Sequence, residues 1–270
     1  MKPSAFPIVL VGAGNLATNL GTALSRAGFP ILQVYSRSEE SASALADKLG
    51  SRATTNPEKL VSDAALYIVA LKDSALETLL PELLRGREER FWVHTAGSIP
   101  INIWERVPGV KRYGVLYPMQ TFSKTRQVDF RSIPILLEAN APAQMTLLKE
   151  VASLLSENVR EISSRQRRAL HMAAVFACNF TNHCYVLAEK LLAAEGVPFE
   201  ILLPLIDETA RKVHTLPPSE AQTGPAIRYD ENVIQKHLDA LSAEPELQTL
   251  YRLLSRSIHE AAREKSKGKK

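Results

Sequence analysis

The sequence predicts an α/β protein in two parts: a Rossmann-type, doubly wound parallel sheet, then an all-helical domain. Three observations carry this. Short apolar runs alternate with helix-spaced segments over residues 1–163, a glycine turn separates the first run from the first helix, and strand-length apolar runs cease beyond Ser164. Strands of a parallel sheet read as continuous apolar runs because helices cover both of its faces.

In order, residues 6–11 form the first apolar run, which stops at Gly12-Ala13-Gly14, and 15–27 have helical spacing. Residues 31–35 form the second run and end in Ser36-Arg37-Ser38, and 39–49 form the second helix, with Ala42, Leu45, Ala46 and Leu49 recurring at helical intervals. This completes a β-α-β unit. The alternation continues with a strand at 64–71, a helix at 75–84 and a strand at 90–95. Further strands are expected at 112–116, 133–138 and 159–162, with a helix at 143–156 between the last two, so the first domain spans 1–163. The second, 164–270, opens with a long helical stretch to Glu195, crosses Gly196-Val197-Pro198 and stays helical to Val213. A Pro/Gly-rich connector at 216–229 precedes two more helices, at 231–241 and 246–264.

A chain of 270 residues suits a nucleotide-binding domain plus a second domain, and 45% hydrophobic with 23% charged residues is a globular balance. The formal charge of +4 arises at the end of the chain: residues 265–270 hold four lysines and no acid, and without them 29 basic residues face 29 acidic ones. That leaves no electrostatic footprint for nucleic acid, and the lysine tail reads as a solvated, frayed end. Cys178 and Cys184, six residues apart in a helical stretch, fall on different faces and indicate no disulfide. Sparse cysteines, the lack of a cleavable leader and the lack of a bilayer-length apolar run of about 20 residues point to the cytoplasm. No metal-binding pattern accompanies the histidines.

Gly12, Gly14 and Ala17 form G-x-G-x-x-A between a strand and a helix, the context a dinucleotide fingerprint requires. Gly12 permits the tight turn, Gly14 lets the backbone approach a pyrophosphate, and Ala17 allows close helix packing. Amides around Asn15 and Leu16 then face the anion at the helix N-terminus. NAD-specific sites usually end the second strand with a carboxylate for the ribose 2′-hydroxyl. Here that place holds Ser36, Arg37 and Ser38, a set suited to a 2′-phosphate. NADP(H) is the expected cofactor, with a solvated surface Arg37 as the alternative.

Five stretches carry a resemblance: Val11-Gly12-Ala13-Gly14-Asn15-Leu16-Ala17, His94-Thr95-Ala96-Gly97-Ser98, Leu116-Tyr117-Pro118-Met119-Gln120-Thr121-Phe122, residues 170–180 and Thr223-Gly224-Pro225-Ala226-Ile227-Arg228-Tyr229-Asp230. Through them the chain resembles the family in which a Rossmann-like domain precedes the domain of unknown function 2520. That family belongs to the superfamily of pyrroline-5-carboxylate reductase, prephenate dehydrogenase and 6-phosphogluconate dehydrogenase. The resemblance implies a helical second domain like that of 6-phosphogluconate dehydrogenase, a homodimer formed through it, and NADP-linked oxidoreduction. Two departures stand out: Tyr229 occupies a position expected to be glycine, and Tyr117 one where prephenate dehydrogenases tend to carry histidine.

Ligands of open α/β sheets lie beyond the carboxyl ends of the strands, where residues 71–74, 94–98 and 117–121 converge. Leu71, Lys72, Ala96 and Gly97 are expected at the cofactor, and Tyr117, Met119 and Gln120 at the substrate. His94 is a candidate proton donor or a histidine bonded within a strand terminus. His171 and Asn182 are expected on one face of the long helix with Asn179 beside it, and His171, with Asn179, is either catalytic or a core group. Thr223, Arg228 and Asp230 on the connector are candidate substrate ligands, Arg228 for a carboxylate, against a surface Arg228–Asp230 pair. The favoured activity is NADP(H)-dependent reduction, or its reverse, at C=O or C=N in a small anionic metabolite. A cofactor-binding sensor without turnover is the alternative, since no lysine lies between Ser164 and Glu189.

Overall fold

The computed structural model describes residues 2–267. The alternating segments fold into eight strands: β1 (Ile8–Val11), β2 (Ile31–Tyr35), β3 (Arg52–Thr54), β4 (Leu66–Val69), β5 (Phe91–His94), β6 (Arg112–Pro118), β7 (Ile135–Ala139) and β8 (Val159–Glu161). Their order, β3-β2-β1-β4-β5-β6-β7-β8, gives the first six the doubly wound Rossmann sequence 3-2-1-4-5-6. Those six are parallel, whereas β7 pairs antiparallel with β6 and carries β8 parallel to itself. The expected doubly wound parallel sheet is thus present, extended at its far edge by one antiparallel pairing.

The helices of this part are α1 (Asn15–Arg26), α2 (Glu39–Leu49), α3 (Asp73–Leu84) and α4 (Pro142–Ser153). Ser38 caps α2 by accepting from Ser41 N–H, and Gly50 ends it in the left-handed region at φ 62°. One sheet face buries Ile8, Leu10, Val34, Ile68, Val93 and Leu116 with residues of α1 and α4. The other buries Val9, Val11, Tyr67, Val69 and Trp92 against α3 and Trp104.

The chain divides into two units, the first ending at Val175 and the second beginning at Phe176. The first therefore includes α5 (Ser164–Ala174), which the sequence pattern alone assigns to the helical part. The reason is electrostatic. Glu138, near the end of β7, accepts from the backbone N–H and hydroxyl of Ser164 at 2.8 and 2.7 Å and forms an ion pair with Arg167. Arg167 is 0% exposed and also donates to the Ile99 carbonyl. Ser163 and Gln166 complete a capping box on the same helix.

The second unit is helical: α6 (Thr181–Ala194), α7 (Leu203–Thr215), the short α8 (Pro218–Ala221) and α9 (Pro225–Arg228), α10 (Glu231–Ala240) and α11 (Pro245–Lys267). The connector thus holds two single-turn helices. Tyr229 follows α9 in the left-handed region at φ 53° and lies against His259, ring centroids 4.6 Å apart. Lys265 and Lys267 of the lysine tail, expected to fray, continue α11, with Lys265 bonded to Glu220 at 3.1 Å. Residues 268–270 of that tail lie outside the described residues.

Removing one partner of a buried ion pair strands the other charge, at a cost of about 3–5 kcal/mol. Glu138→Ala should therefore lower unfolding free energy at neutral pH by roughly that amount, read by urea denaturation. A loss below about 1 kcal/mol, typical of an exposed pair, would show that the pair does not hold α5.

Candidate active site

The first turn of the Rossmann unit is built as the fingerprint requires. Gly12 has φ 126°, donates to the Tyr35 carbonyl at 2.8 Å, and would place a Cβ 2.3 Å from the Ala70 carbonyl oxygen. It sits where β1 and β4 diverge, the switch point of a doubly wound sheet. At Gly14 a Cβ would meet nothing within 4 Å, so glycine there satisfies no internal packing demand. Gly14 precedes α1 without a side-chain cap, which leaves the N–H groups around Asn15, Leu16 and Ala17 open to an acceptor. Ala17 is fully buried, as close packing of α1 requires.

At the end of β2, Ser36 Oγ accepts from Ser38 N–H at 3.3 Å and Ser38 caps α2, so both hydroxyls have local work. Arg37 is exposed and forms no ion pair among the described residues. These residues fit a phosphorylated dinucleotide: an open amide cradle, and a guanidinium in place of the carboxylate that would select a free 2′-hydroxyl.

The loops after β4 and β5 adjoin this turn. Lys72, exposed, stands at the N-cap of α3, with half-buried Leu71 before it. Ser98 donates to the Asp73 carboxylate and ties the two loops together. Ala96 is half-buried and Gly97 buried.

His94 lies within the fold. It is 0% exposed, its ring stacks on Trp104 with centroids 5.9 Å apart, and Nδ1 accepts from Ala96 N–H at 3.2 Å. Burial foremost, and then the Arg167 charge, push its pKa down to about 3. A neutral, enclosed imidazole is a poor proton donor at neutral pH, so of the two expectations for His94 the histidine bonded within a strand terminus is the one its geometry fits. It shapes the 95–97 loop.

The groups brought together instead are Tyr117 and His171. Tyr117 Oη lies 3.2 Å from His171 Nδ1, with the rings edge to face at 73°. Arg167, one turn before His171 on α5, lies behind them. Burial pushes the Tyr117 phenol above its ordinary pKa, and the Arg167 charge opposes this. Nearby, Met119 N–H donates to the Pro134 carbonyl at 2.8 Å, and the Gln120 side chain accepts from Thr121 N–H at 2.8 Å.

The remaining candidates belong to the second unit or its edge. Asn179 is exposed in a π-helical segment, Val175–Phe180, whose wider turn breaks the spacing expected to align the 171–182 face. Asp230 is the N-cap of α10, accepting from Val233 N–H at 3.3 Å, so its carboxylate already has a structural partner. Thr223 and Arg228 are exposed, and the Arg228–Asp230 pair is not formed. Sequence reasoning passed over Glu138, Ser164 and Arg167. The available signal was spacing, since Arg167 and His171 stand four apart and share a helix face.

Two family models match the chain. One is described as NADP oxidoreductase, coenzyme F420-dependent, over residues 7–96, and the other as domain of unknown function 2520, over residues 133–258. A crystal structure from Bacteroides fragilis, described as a "putative NADP oxidoreductase", is 59% identical with a TM-score of 0.90, covering 94% of this chain and 98% of its own. A Thermotoga maritima protein is 22% identical with a TM-score of 0.78, covering 95% and 99%. An imine reductase from Myxococcus stipitatus, in complex with NADP+, is 18% identical with a TM-score of 0.68, covering 97% and 94%. These last two likenesses show the fold alone. A comparison with curated proteins finds no match. At 59% identity over nearly all of both chains, the protein belongs to the NADP oxidoreductase family of the Bacteroides structure.

A histidine whose folded pKa lies below its unfolded value binds fewer protons when folded. Its contribution to stability is therefore intact above the unfolded value of 6.5 and is lost as pH falls toward 3. Between pH 7 and pH 5 the wild type should lose about 2 kcal/mol more than His94→Asn, which keeps an acceptor for Ala96 N–H. Parallel urea titrations measure this, and identical acid sensitivity in the two proteins would show that His94 is not buried neutral.

Proposed function

We propose that this NADP oxidoreductase acts on a C=O or C=N bond of a small, anionic metabolite, reducing it with NADPH or running in reverse. The observation that carries the reading is the open cradle at Gly12, Gly14 and Ala17 followed by an exposed Arg37 with no ion-pair partner among the described residues. Gly14, Asn15 and Leu16 would hold the pyrophosphate, and Arg37 with Ser36 and Ser38 the 2′-phosphate. Leu71, Lys72, Ala96 and Gly97 would line the continuation of the cofactor site along the carboxyl edge of β4 and β5. When bound, NADPH supplies a hydride to the substrate carbon, so the chain has only to bind, orient and supply a proton. Met119 and Gln120 beside Tyr117 are the first unit's candidates for substrate contact. Thr223 and Arg228 are the second unit's, Arg228 for an anionic group.

We propose further that the protein is a homodimer paired through its second unit. No residue of α6 or α7 is buried within the chain, and Phe176, Ile201, Leu205 and Val213 are 65, 64, 63 and 50% exposed. Apolar faces of that extent on a soluble chain mark an interface. Cys178 and Cys184 are free and exposed, which suits a reducing compartment, and we assign the protein to the cytoplasm.

The cofactor reading is tested by calorimetry. Arg37→Ala should weaken NADPH binding by roughly 1–3 kcal/mol and leave NADH nearly unchanged. Equal losses for both would remove the 2′-phosphate role. A panel of small carbonyls and imines bearing a carboxylate should include a compound that drives steady NADPH oxidation. Tight NADPH binding without turnover on any of them would favour a sensor.

Sedimentation should report a dimer at micromolar concentration, and Ile201→Glu with Leu205→Glu should give monomers. A monomeric wild type would end the dimer reading.

A further inference from the structure

The site holds two ionisable side chains in direct contact at the carboxyl edge of the sheet, and they have different standing. Tyr117 leaves β6 two residues beyond Val115, the register partner of His94, and so projects from the same sheet face beyond the end of β5. His171 reaches it from α5 and lies against Gly97, where a Cβ would come within 2.6 Å of Nδ1 and 2.8 Å of Cγ. The Nδ1 edge of the imidazole thus meets both the Tyr117 hydroxyl and the backbone of the loop proposed to line the cofactor. Both side chains are half-buried, and the fully buried Arg167 stands behind them, anchored by Glu138 and the Ile99 carbonyl.

We propose that the Tyr117 hydroxyl is the group that protonates the reduced substrate and that His171 reloads it. This rests on the reductase reading above. In the working form His171 carries protons on both nitrogens, and Nδ1–H donates to Tyr117 Oη, which frees the phenol O–H to point at the substrate heteroatom. As the substrate carbon accepts the cofactor's hydride, the Tyr117 O–H bond breaks and an O–H or N–H bond forms on the substrate. The Nδ1 proton passes to the phenolate oxygen, and His171, left neutral, regains a proton from water. Tyr117 is the catalytic residue; His171 acts through it as a positioning residue. A phenol held above its ordinary pKa by burial stays protonated between turnovers. Of the charged and titratable groups around the pair, Arg168 precedes His171 by three residues on α5 and is exposed, Arg167 is paired with Glu138 of β7, and His94 of β5 is buried and held neutral.

The test uses the full chain, NADPH and, as probe, the panel carbonyl or imine that it turns over fastest. Tyr117→Phe should lower kcat at least about 100-fold, the scale of a lost general acid, with NADPH affinity within about twofold of wild type. His171→Ala should lower kcat less, with partial rescue by added imidazole, and should abolish the fall in kcat that wild type shows as pH rises through the His171 titration. Retained kcat in Tyr117→Phe, a change confined to KM, or an unchanged pH profile in His171→Ala would overturn the proposal. A second arm needs no substrate. In protein labelled with 15N-histidine, Tyr117→Phe should move the titration midpoint of the resonance missing from His171→Ala by about half a pH unit or more, the effect of losing a hydrogen-bond partner. An unmoved midpoint shows that the pair does not exist in solution. A panel with no turnover ends the reductase reading and the donor role with it, while the histidine titration still reports on the pair.

Discussion

A single buried charge determines how the site is arranged. Arg167 has no exposure, and a guanidinium cannot give up its proton to escape burial, so it requires a carboxylate and oxygen acceptors fixed in place. Glu138 and the Ile99 carbonyl supply them, and Glu138 also caps the start of α5 through Ser164. One carboxylate therefore neutralises the buried charge and sets where the helix begins. His171 follows Arg167 by one helical turn, so its position is a consequence of that anchor.

The reversal at β7 makes the anchor possible. Because β7 runs antiparallel to β6, Glu138 pairs with Val115, which pairs with His94 in turn. Residues directly opposite one another project from the same face, and Tyr117 shares that face from two positions further along β6. Glu138, His94 and Tyr117 are thus brought to one side of the sheet, where α5 adds Arg167. The positive charge and the low dielectric then separate the two histidines. His94, sealed under Trp104, is held neutral, while His171 keeps partial access to solvent and a hydroxyl partner. Their chemical difference comes from surroundings, since the residue type is the same.

How much of this was legible in the sequence follows the range of the interactions. The turn at Gly12 and Gly14 depends on neighbours along the chain and on one adjacent strand, so its residues announced it. Arg37 was legible for the same reason: it sits directly after β2. β3 has only three residues, too few to show a period. The direction of β7 left no trace, because a strand covered on both faces carries the same apolar run either way. Glu138 and Arg167 read as ordinary polar residues at a strand end and a helix start, and Arg165 and Arg168 stand beside Arg167 while remaining exposed. Burial of a charge is a tertiary fact, visible only once its partner is placed. The sequence leaves His94 between two roles for that reason: nothing local to it announces Trp104 above or Arg167 beside it.

Tyr229 shows how a departure from an expected pattern finds its meaning in packing. A left-handed backbone costs a residue with a Cβ about 1–3 kcal/mol, which is why glycine was expected there. The tyrosine adopts φ 53° nonetheless, with its ring against His259 of α11. An aromatic contact of this kind contributes about 0.5–1.5 kcal/mol beyond its buried area, enough to offset much of the strain. The side chain therefore does what glycine could not: it pins the end of α9 to α11 and fixes the direction in which Asp230 starts α10. Arg228, immediately before it, is presented from a clamped turn while its own side chain stays exposed. The anion-binding role proposed for Arg228 gains from such a base, because the backbone entropy of holding it in place is lost on folding and not again on binding.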